Sequence, residues 1–174
     1  MPDRRTILTK FVAGFAVLAT IGFSIPFIRS LFPARKREYY EDIDISSLRP
    51  GFSLKLNWLG RPVVIVARSD AQMAELNQSS NDALLDPNST SSYQPEFARN
   101  QYRSRRPGYF LAYSNCTHLG CEVVVDEKGN FECPCHYSTF DSAGRILRGG
   151  AAKRNLDIPD YRFTSSDTIR LSNN

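Results

Sequence analysis

The sequence predicts a mostly β head carried on one N-terminal apolar helix, and three observations lead there. Residues 11–28, FVAGFAVLATIGFSIPFI, form an eighteen-residue run without a charge, bounded by Lys10 and Arg29. From Ile43 onward the pattern changes to short strand-like runs separated by turn residues. All four Cys and both His fall in one window of 21 residues, Cys116 to His136, so the head also carries a metal or redox site.

The apolar run comes first. It is near the lower limit for crossing a bilayer, where about 20 residues are typical. Its apolar side chains surround the helix axis rather than forming a stripe, and Pro26 near its end is tolerable in a membrane helix. A cleaved signal peptide or a buried core helix would also be apolar. The run is longer than a usual signal core, and no clear small-x-small cleavage site precedes Ile25-Pro26-Phe27-Ile28, so an uncleaved anchor over 1–32 is expected. The Lys/Arg count, three before the run and four after, leaves its orientation undecided. Arg4-Arg5 ahead of Thr6-Ile7-Leu8-Thr9-Lys10 resembles a twin-arginine export signal, which carries folded, cofactor-loaded proteins outward. The expected topology is a single pass through the bacterial inner membrane, with the C-terminal head in the periplasm.

Charge agrees with that division. The chain of 174 residues has a formal charge of +4, but residues 1–37 hold seven Lys/Arg and one Asp. The rest, with 15 basic and 17 acidic side chains, is mildly acidic. The flanks suit anionic lipid, and an acidic head excludes a nucleic-acid partner.

Residues 33–42, PARKREYYED, read as a charged connector, with a hinge placed over 33–44 and the head over 45–174. Ser53–Trp58 and Val63–Ala67 around a Gly60-Arg61-Pro62 turn read as a β-hairpin. Ala71 to Leu85 has helical spacing, with Ser69 or Asp70 as N-cap. Residues 86–108, rich in Pro, Ser and Asn, read as a long surface loop with one short helix. Tyr109–Tyr113 is a strand leading into the Cys/His window. Strands at Glu122–Val125 and Asn130–Cys133, around a Lys128-Gly129 turn, lie inside the window. A turn at Phe140–Arg145 and a closing strand at Thr168–Leu171 complete the head.

The window reads Cys116-Thr117-His118-Leu119-Gly120-Cys121, eleven residues, then Cys133-Pro134-Cys135-His136-Tyr137-Ser138. Structural zinc is one reading, but the single-residue gap between Cys116 and His118 fits zinc spacing poorly. Two structural disulfides would leave both histidines without a role. CTHLGC followed by CPCHxS resembles the two cluster-binding loops of the Rieske family, in the form carried by quinol–cytochrome c oxidoreductases. The twin-Arg anchor, Asp44-Ile45-Ser46 to Trp58-Leu59-Gly60-Arg61-Pro62, and Asp86-Pro87-Asn88-Ser89 through Tyr102-Arg103-Ser104 resemble its proteobacterial branch.

The resemblance implies an antiparallel β-sandwich head with a small rubredoxin-like cluster-binding subdomain at about 111–148. It implies one [2Fe–2S] cluster per subunit, with Cys116 and Cys133 on one iron and His118 and His136 on the other. Neutral imidazoles lower the negative charge of the cluster and raise its potential. Reduction makes those imidazoles more basic, so a proton can accompany the electron, as quinol oxidation requires. The resemblance also implies a disulfide between Cys121 and Cys135, and an even pair in an exported domain fits it.

Around the ligands, the resemblance gives the Ser138 hydroxyl as a hydrogen-bond donor to a bridging sulfide; capping a turn is its plainer role. High-potential members carry Tyr where this chain has Phe140, so one donor to a ligand sulfur is missing. Tyr137 replaces a usual Gly, and Arg148-Gly149-Gly150-Ala151-Ala152 lacks the prolines of a loop packed against the cluster, which predicts a less rigid loop. Leu119 shields the cluster or packs at the docking face, or is ordinary loop core.

The expected function is the electron-transfer subunit of quinol–cytochrome c reductase. His136 and His118 would meet ubiquinol or another quinol at the cytochrome b subunit and accept its proton. The head would then pass an electron to a c-type cytochrome of the same, dimeric, complex. The alternatives are a stand-alone membrane-anchored electron carrier and the small subunit of a molybdenum-containing oxidase. A Rieske oxygenase is excluded, because no further His remains to build its second iron site.

Overall fold

The charge-free run winds into α1, Arg4–Ser30, in a computed structural model that describes residues 3–32, 37–78 and 80–173. The helix is 27 residues long, about 40 Å at 1.5 Å per residue, and none of its residues is buried. Its hydroxyls are satisfied internally. Thr20 Oγ1 donates to Ala16 O at 2.8 Å and Ser24 Oγ to Thr20 O at 2.7 Å. Ser30 Oγ donates to Phe27 O at 2.7 Å, so the hydroxyls of the apolar stretch and its end need no water, as hydrocarbon demands. The chain divides into two units, Met1–Arg37 and Glu38–Asn174.

Residues 33–36 of the expected connector lie outside the described residues, and its far end is not a connector. Tyr40–Asp44 forms strand β1, paired antiparallel with the last strand from Tyr40↔Ser172 to Asp44↔Thr168. A charged sequence, YEDID, makes a strand here because only Ile43 turns inward, while Asp42 is bonded across the sheet by Arg170.

The hairpin consists of β2, Ser53–Trp58, and β3, Arg61–Ala67. Its turn is Leu59-Gly60 rather than Gly60-Arg61-Pro62: both residues take left-handed φ, +49 and +80, as a two-residue hairpin turn requires. Asn57 Oδ1 accepts the Gly60 N–H at 2.9 Å and closes it. Helix α2 spans Asp70–Gln78, shorter than the expected Ala71–Leu85. Ser69 Oγ accepts from Gln72 N at 3.3 Å and Gln72 Oε1 from Ser69 N at 2.8 Å, a reciprocal cap. Beyond the helix, Ser80 Oγ accepts from Asp82 N at 3.2 Å and starts a separate 3₁₀ turn, Asn81–Ala83, which competes with helix continuation.

Residues 86–108 contain the short helical turn Glu96–Ala98 and lie largely at the surface, but Asp86, Ser89, Ala98, Arg103 and Ser104 turn inward. Arg103 is fully buried, donating to Ala143 O at 3.1 Å, Gly144 O at 3.0 Å, Leu156 O at 2.7 Å and Gln94 Oε1 at 2.8 Å. Arg68 reaches Pro107 O at 2.7 Å, Tyr102 O at 2.8 Å and Ser142 O at 3.1 Å. Part of the polar composition here serves internal hydrogen bonding rather than solvation.

The remaining strands are β4, Tyr109–Tyr113; β5, Val124–Val125; β6, Phe131–Glu132; β7, Thr139–Phe140; β8, Asp160–Phe163; and β9, Thr168–Ser172. They form three antiparallel sheets, β1-β9-β8, β2-β3-β4 and β5-β6-β7. Side chains alternate across a strand, so β4 shows which layer lies where. Tyr109 on one face meets Phe163 of β8, with ring centroids 5.8 Å apart. Phe110 on the other meets Phe131 of β6 at 5.6 Å. The sheet β2-β3-β4 is thus the middle layer, and Val63 to Ala67 of β3 are all buried, as a strand covered on both faces must be. The head is mostly β, as the sequence predicts.

Candidate metal centre

Two loops at one end of the middle and outer layers bring the Cys/His window together. The first, Cys116 to Cys121, follows β4. The second, Cys133 to Ser138, joins β6 to β7. They have the same backbone. Cys116 N donates to Cys121 O at 2.7 Å and Gly120 N to Cys116 O at 2.9 Å. Cys133 N donates to Ser138 O at 2.9 Å and Tyr137 N to Cys133 O at 2.9 Å. The fifth residue of each loop is left-handed, Gly120 at φ +86 and Tyr137 at φ +54.

That shared turn sorts the side chains by depth. The leading cysteines point inward: Cys116 is 3 % exposed and Cys133 1 %, and neither is in a disulfide. His118 and His136 are exposed, their ring centroids 4.8 Å apart and their planes at 83°. Cys121 and Cys135 are joined by a disulfide that ties the two loops, with Cα atoms 6.6 Å apart. The sulfurs of Cys121, Cys133 and Cys135 lie within 4.8 Å of one another, but the disulfide leaves only Cys133 of the three as a possible thiolate. Burial pushes the Cys116 thiol up, the His118 backbone N–H opposes, and the neighbouring Cys133 thiol adds to the rise. A cationic centre is what would favour thiolates in such a place.

A third segment supports both loops, and sequence reasoning missed how. Ser138 is fully buried, and its Oγ accepts the Ala152 N–H at 2.9 Å, which leaves the hydroxyl proton free to donate. A Cβ at Gly150 would stand 2.9 Å from Ser138 Cα, so glycine is required for this close approach. Thr117 Oγ1 donates to Arg154 O at 2.6 Å. The proline-free segment is thus fastened by hydrogen bonds that no sequence signal announces. Phe140 is fully buried, paired with Phe131 across β6–β7. Leu119 and Tyr137 are 72 % and 74 % exposed, one in each loop.

Two inward thiols, two outward imidazoles and a buried Ser114 hydroxyl with no partner among the described residues suit a sulfur-rich group seated between the loops. The fold and this site define a Rieske-type iron–sulfur protein. Residues 95–162 match the Rieske [2Fe-2S] domain, and the cofactor is a [2Fe–2S] cluster. The ubiquinol-cytochrome c reductase iron-sulfur subunit of Allochromatium vinosum is 38 % identical, covering 97 % of this chain and 87 % of that one. The protein of the same name from Cereibacter sphaeroides is 34 % identical, covering 97 % of this chain and 94 % of that one. Among solved structures, a cyanobacterial plasma membrane Rieske protein from Synechocystis PCC 6803 aligns with TM-score 0.41 and 23 % identity, over 68 % of this chain and 84 % of that one. On the full-length relatives, the chain belongs to the family of ubiquinol–cytochrome c reductase iron–sulfur subunits.

Proposed function

We propose that this chain is the iron–sulfur subunit of a quinol–cytochrome c oxidoreductase, with Cys116, His118, Cys133 and His136 as the cluster ligands. One observation carries the reading: the thiols of the set are buried and its imidazoles lie side by side at the surface. A [2Fe–2S] cluster held there supplies one-electron chemistry, at a potential raised by its two neutral ligands. Cys116 and Cys133 keep the sulfur side of the site away from water. His118 and His136 present their outer ring nitrogens to a quinol bound at a cytochrome b subunit, accept its hydrogen bond and take its proton. Leu119 and Tyr137 flank them and exclude water from that contact.

The electron then passes to a c-type cytochrome of the same complex, reached by the head moving on the tether that joins it to α1. Pairing of β1 with β9 supports a pivot before Tyr40 rather than throughout 33–44. The single apolar helix anchors the chain in lipid, and the twin arginines together with the disulfide support a periplasmic head on a bacterial inner membrane. The complex is proposed to be dimeric.

Replacing His118 or His136 by Ala removes a ligand, so the anisotropic electron-paramagnetic signal of the mixed-ligand cluster should vanish rather than shift. A parental signal in either variant would take that residue out of the set. Purification of the tagged chain from its membrane should bring a dihaem cytochrome b with it; its absence would favour a stand-alone carrier.

A further inference from the structure

Ser114 Oγ is buried, 1 % of the residue being exposed, and has no hydrogen-bond partner; no other buried side-chain nitrogen or oxygen among the described residues is in that position. A hydroxyl left so in an apolar layer is costly enough that native structures rarely keep one without a reason.

Its direction follows from the strand. Tyr113 N donates to Asp157 O at 2.9 Å and Ser114 N to Pro62 O at 2.9 Å, so the alternating N–H pattern of β4 continues to residue 114, where the carbonyl leaves the ladder for Val123 N. Ser114 therefore faces the same side as Phe110 and Ala112. That side meets Phe131 of β6, and Phe131 is two residues before Cys133 on the same buried face. Phe110, Ala112 and Phe131 offer the hydroxyl no acceptor. Two residues beyond Ser114 comes Cys116, buried like it. Neither cysteine sulfur is its partner in the protein alone, so the acceptor left to it is an atom of the group held between the loops.

We propose that the Ser114 hydroxyl donates a hydrogen bond to a sulfur of the bound [2Fe–2S] cluster. The inference rests on the reading of Cys116 and Cys133 as ligands. It gives the centre a hydroxyl donor from the middle sheet in addition to Ser138 from the second loop, in a chain whose Phe140 carries none. A donor to sulfur stabilises the reduced, more negative state, so Ser114 raises the reduction potential.

The test uses the full-length, cluster-loaded chain in detergent. Ser114→Ala should keep the anisotropic signal and lower the midpoint in a redox titration by about tenfold in the equilibrium constant, about 59 mV for a one-electron couple. Resonance Raman Fe–S stretching bands of the parent should shift in D₂O, and part of that shift should disappear in Ser114→Ala. Ser114→Gly should match the Ala variant, and Ser114→Thr, which keeps the hydroxyl, should recover the parental deuterium shift. An unchanged midpoint and deuterium shift in Ser114→Ala would overturn the proposal and assign the hydroxyl to a buried water. A parental cluster signal in Cys116→Ser or Cys133→Ser would overturn the ligand reading instead, a failure seen in the spectrum rather than the midpoint.

Discussion

Tyr137 occupies in the second loop the backbone slot that Gly120 fills in the first, and only glycine is at ease there. An L-residue in the left-handed region costs about 1–2 kcal/mol. Part of that returns through the smaller entropy of an unfolded Tyr, so Tyr137→Gly should stabilise the chain by about 0.5–1 kcal/mol. For a chain of this size the melting temperature should rise by about 1–4 °C, followed through the visible absorbance of the cluster. A fall would mean that the exposed ring contributes packing which its 74 % exposure does not reveal. The substitution itself was legible in the sequence, because the Gly-to-Tyr departure stands beside His136. That a glycine there predicts a backbone angle Tyr tolerates less well was legible too; the hydrogen bonds four and five residues apart within the loop that impose the angle were not.

Among the elements, those with local signals were legible and those created by partners were not. The β2–β3 hairpin and β4 carry β-branched and aromatic runs that need no context. β1 and β8, YEDID and DYRF, are strands only because β9 lies between them. The long segment 86–108 reads as surface until its arginines find carbonyls far along the chain, and sequence alone places no acceptor opposite a guanidinium. Burial lowers the Arg68 and Arg103 guanidinium groups to about 10, so both stay charged at neutral pH inside the head. Arg103→Met removes a fork that serves three carbonyls from 143, 144 and 156, leaving buried acceptors unmet. It should cost about 3 kcal/mol or more, each bond to a charged group being worth about 1.5–3 kcal/mol. Thermal unfolding of the detergent-solubilised chain measures this, and a loss below about 1 kcal/mol would show that water replaces the fork.

At the scale of the whole molecule, the [2Fe–2S] cofactor and the Cys121–Cys135 disulfide were legible, through the residue types and spacing of the Cys/His window and the resemblance they carry. The proposed topology across the membrane rests more thinly, on two side chains. Arg4 and Arg5 lie in the first turn of α1 and are exposed. Exchanging both for Lys preserves charge and removes the guanidinium pair, so export should stop and the chain should collect in the cytoplasmic fraction or be degraded. Fractionation with an antibody to the head reads the outcome. Normal assembly of the double variant would mean that charge alone directs insertion.

Pro62 has a bearing on how the layers are joined. It pairs opposite Ser114, and its carbonyl accepts the Ser114 N–H at 2.9 Å, but it has no N–H to return. The Ser114 carbonyl turns instead to Val123 N, at 2.8 Å, in the chain that leads to β5. Proline here acts as a stop on a zipper. With any other residue, the rung would close within the middle sheet, and β4 would be drawn one step further along β3. With proline, the last acceptor of β4 is handed to the neighbouring layer just two residues before Cys116. A missing hydrogen atom thus decides where one sheet ends and the cluster-bearing loops begin.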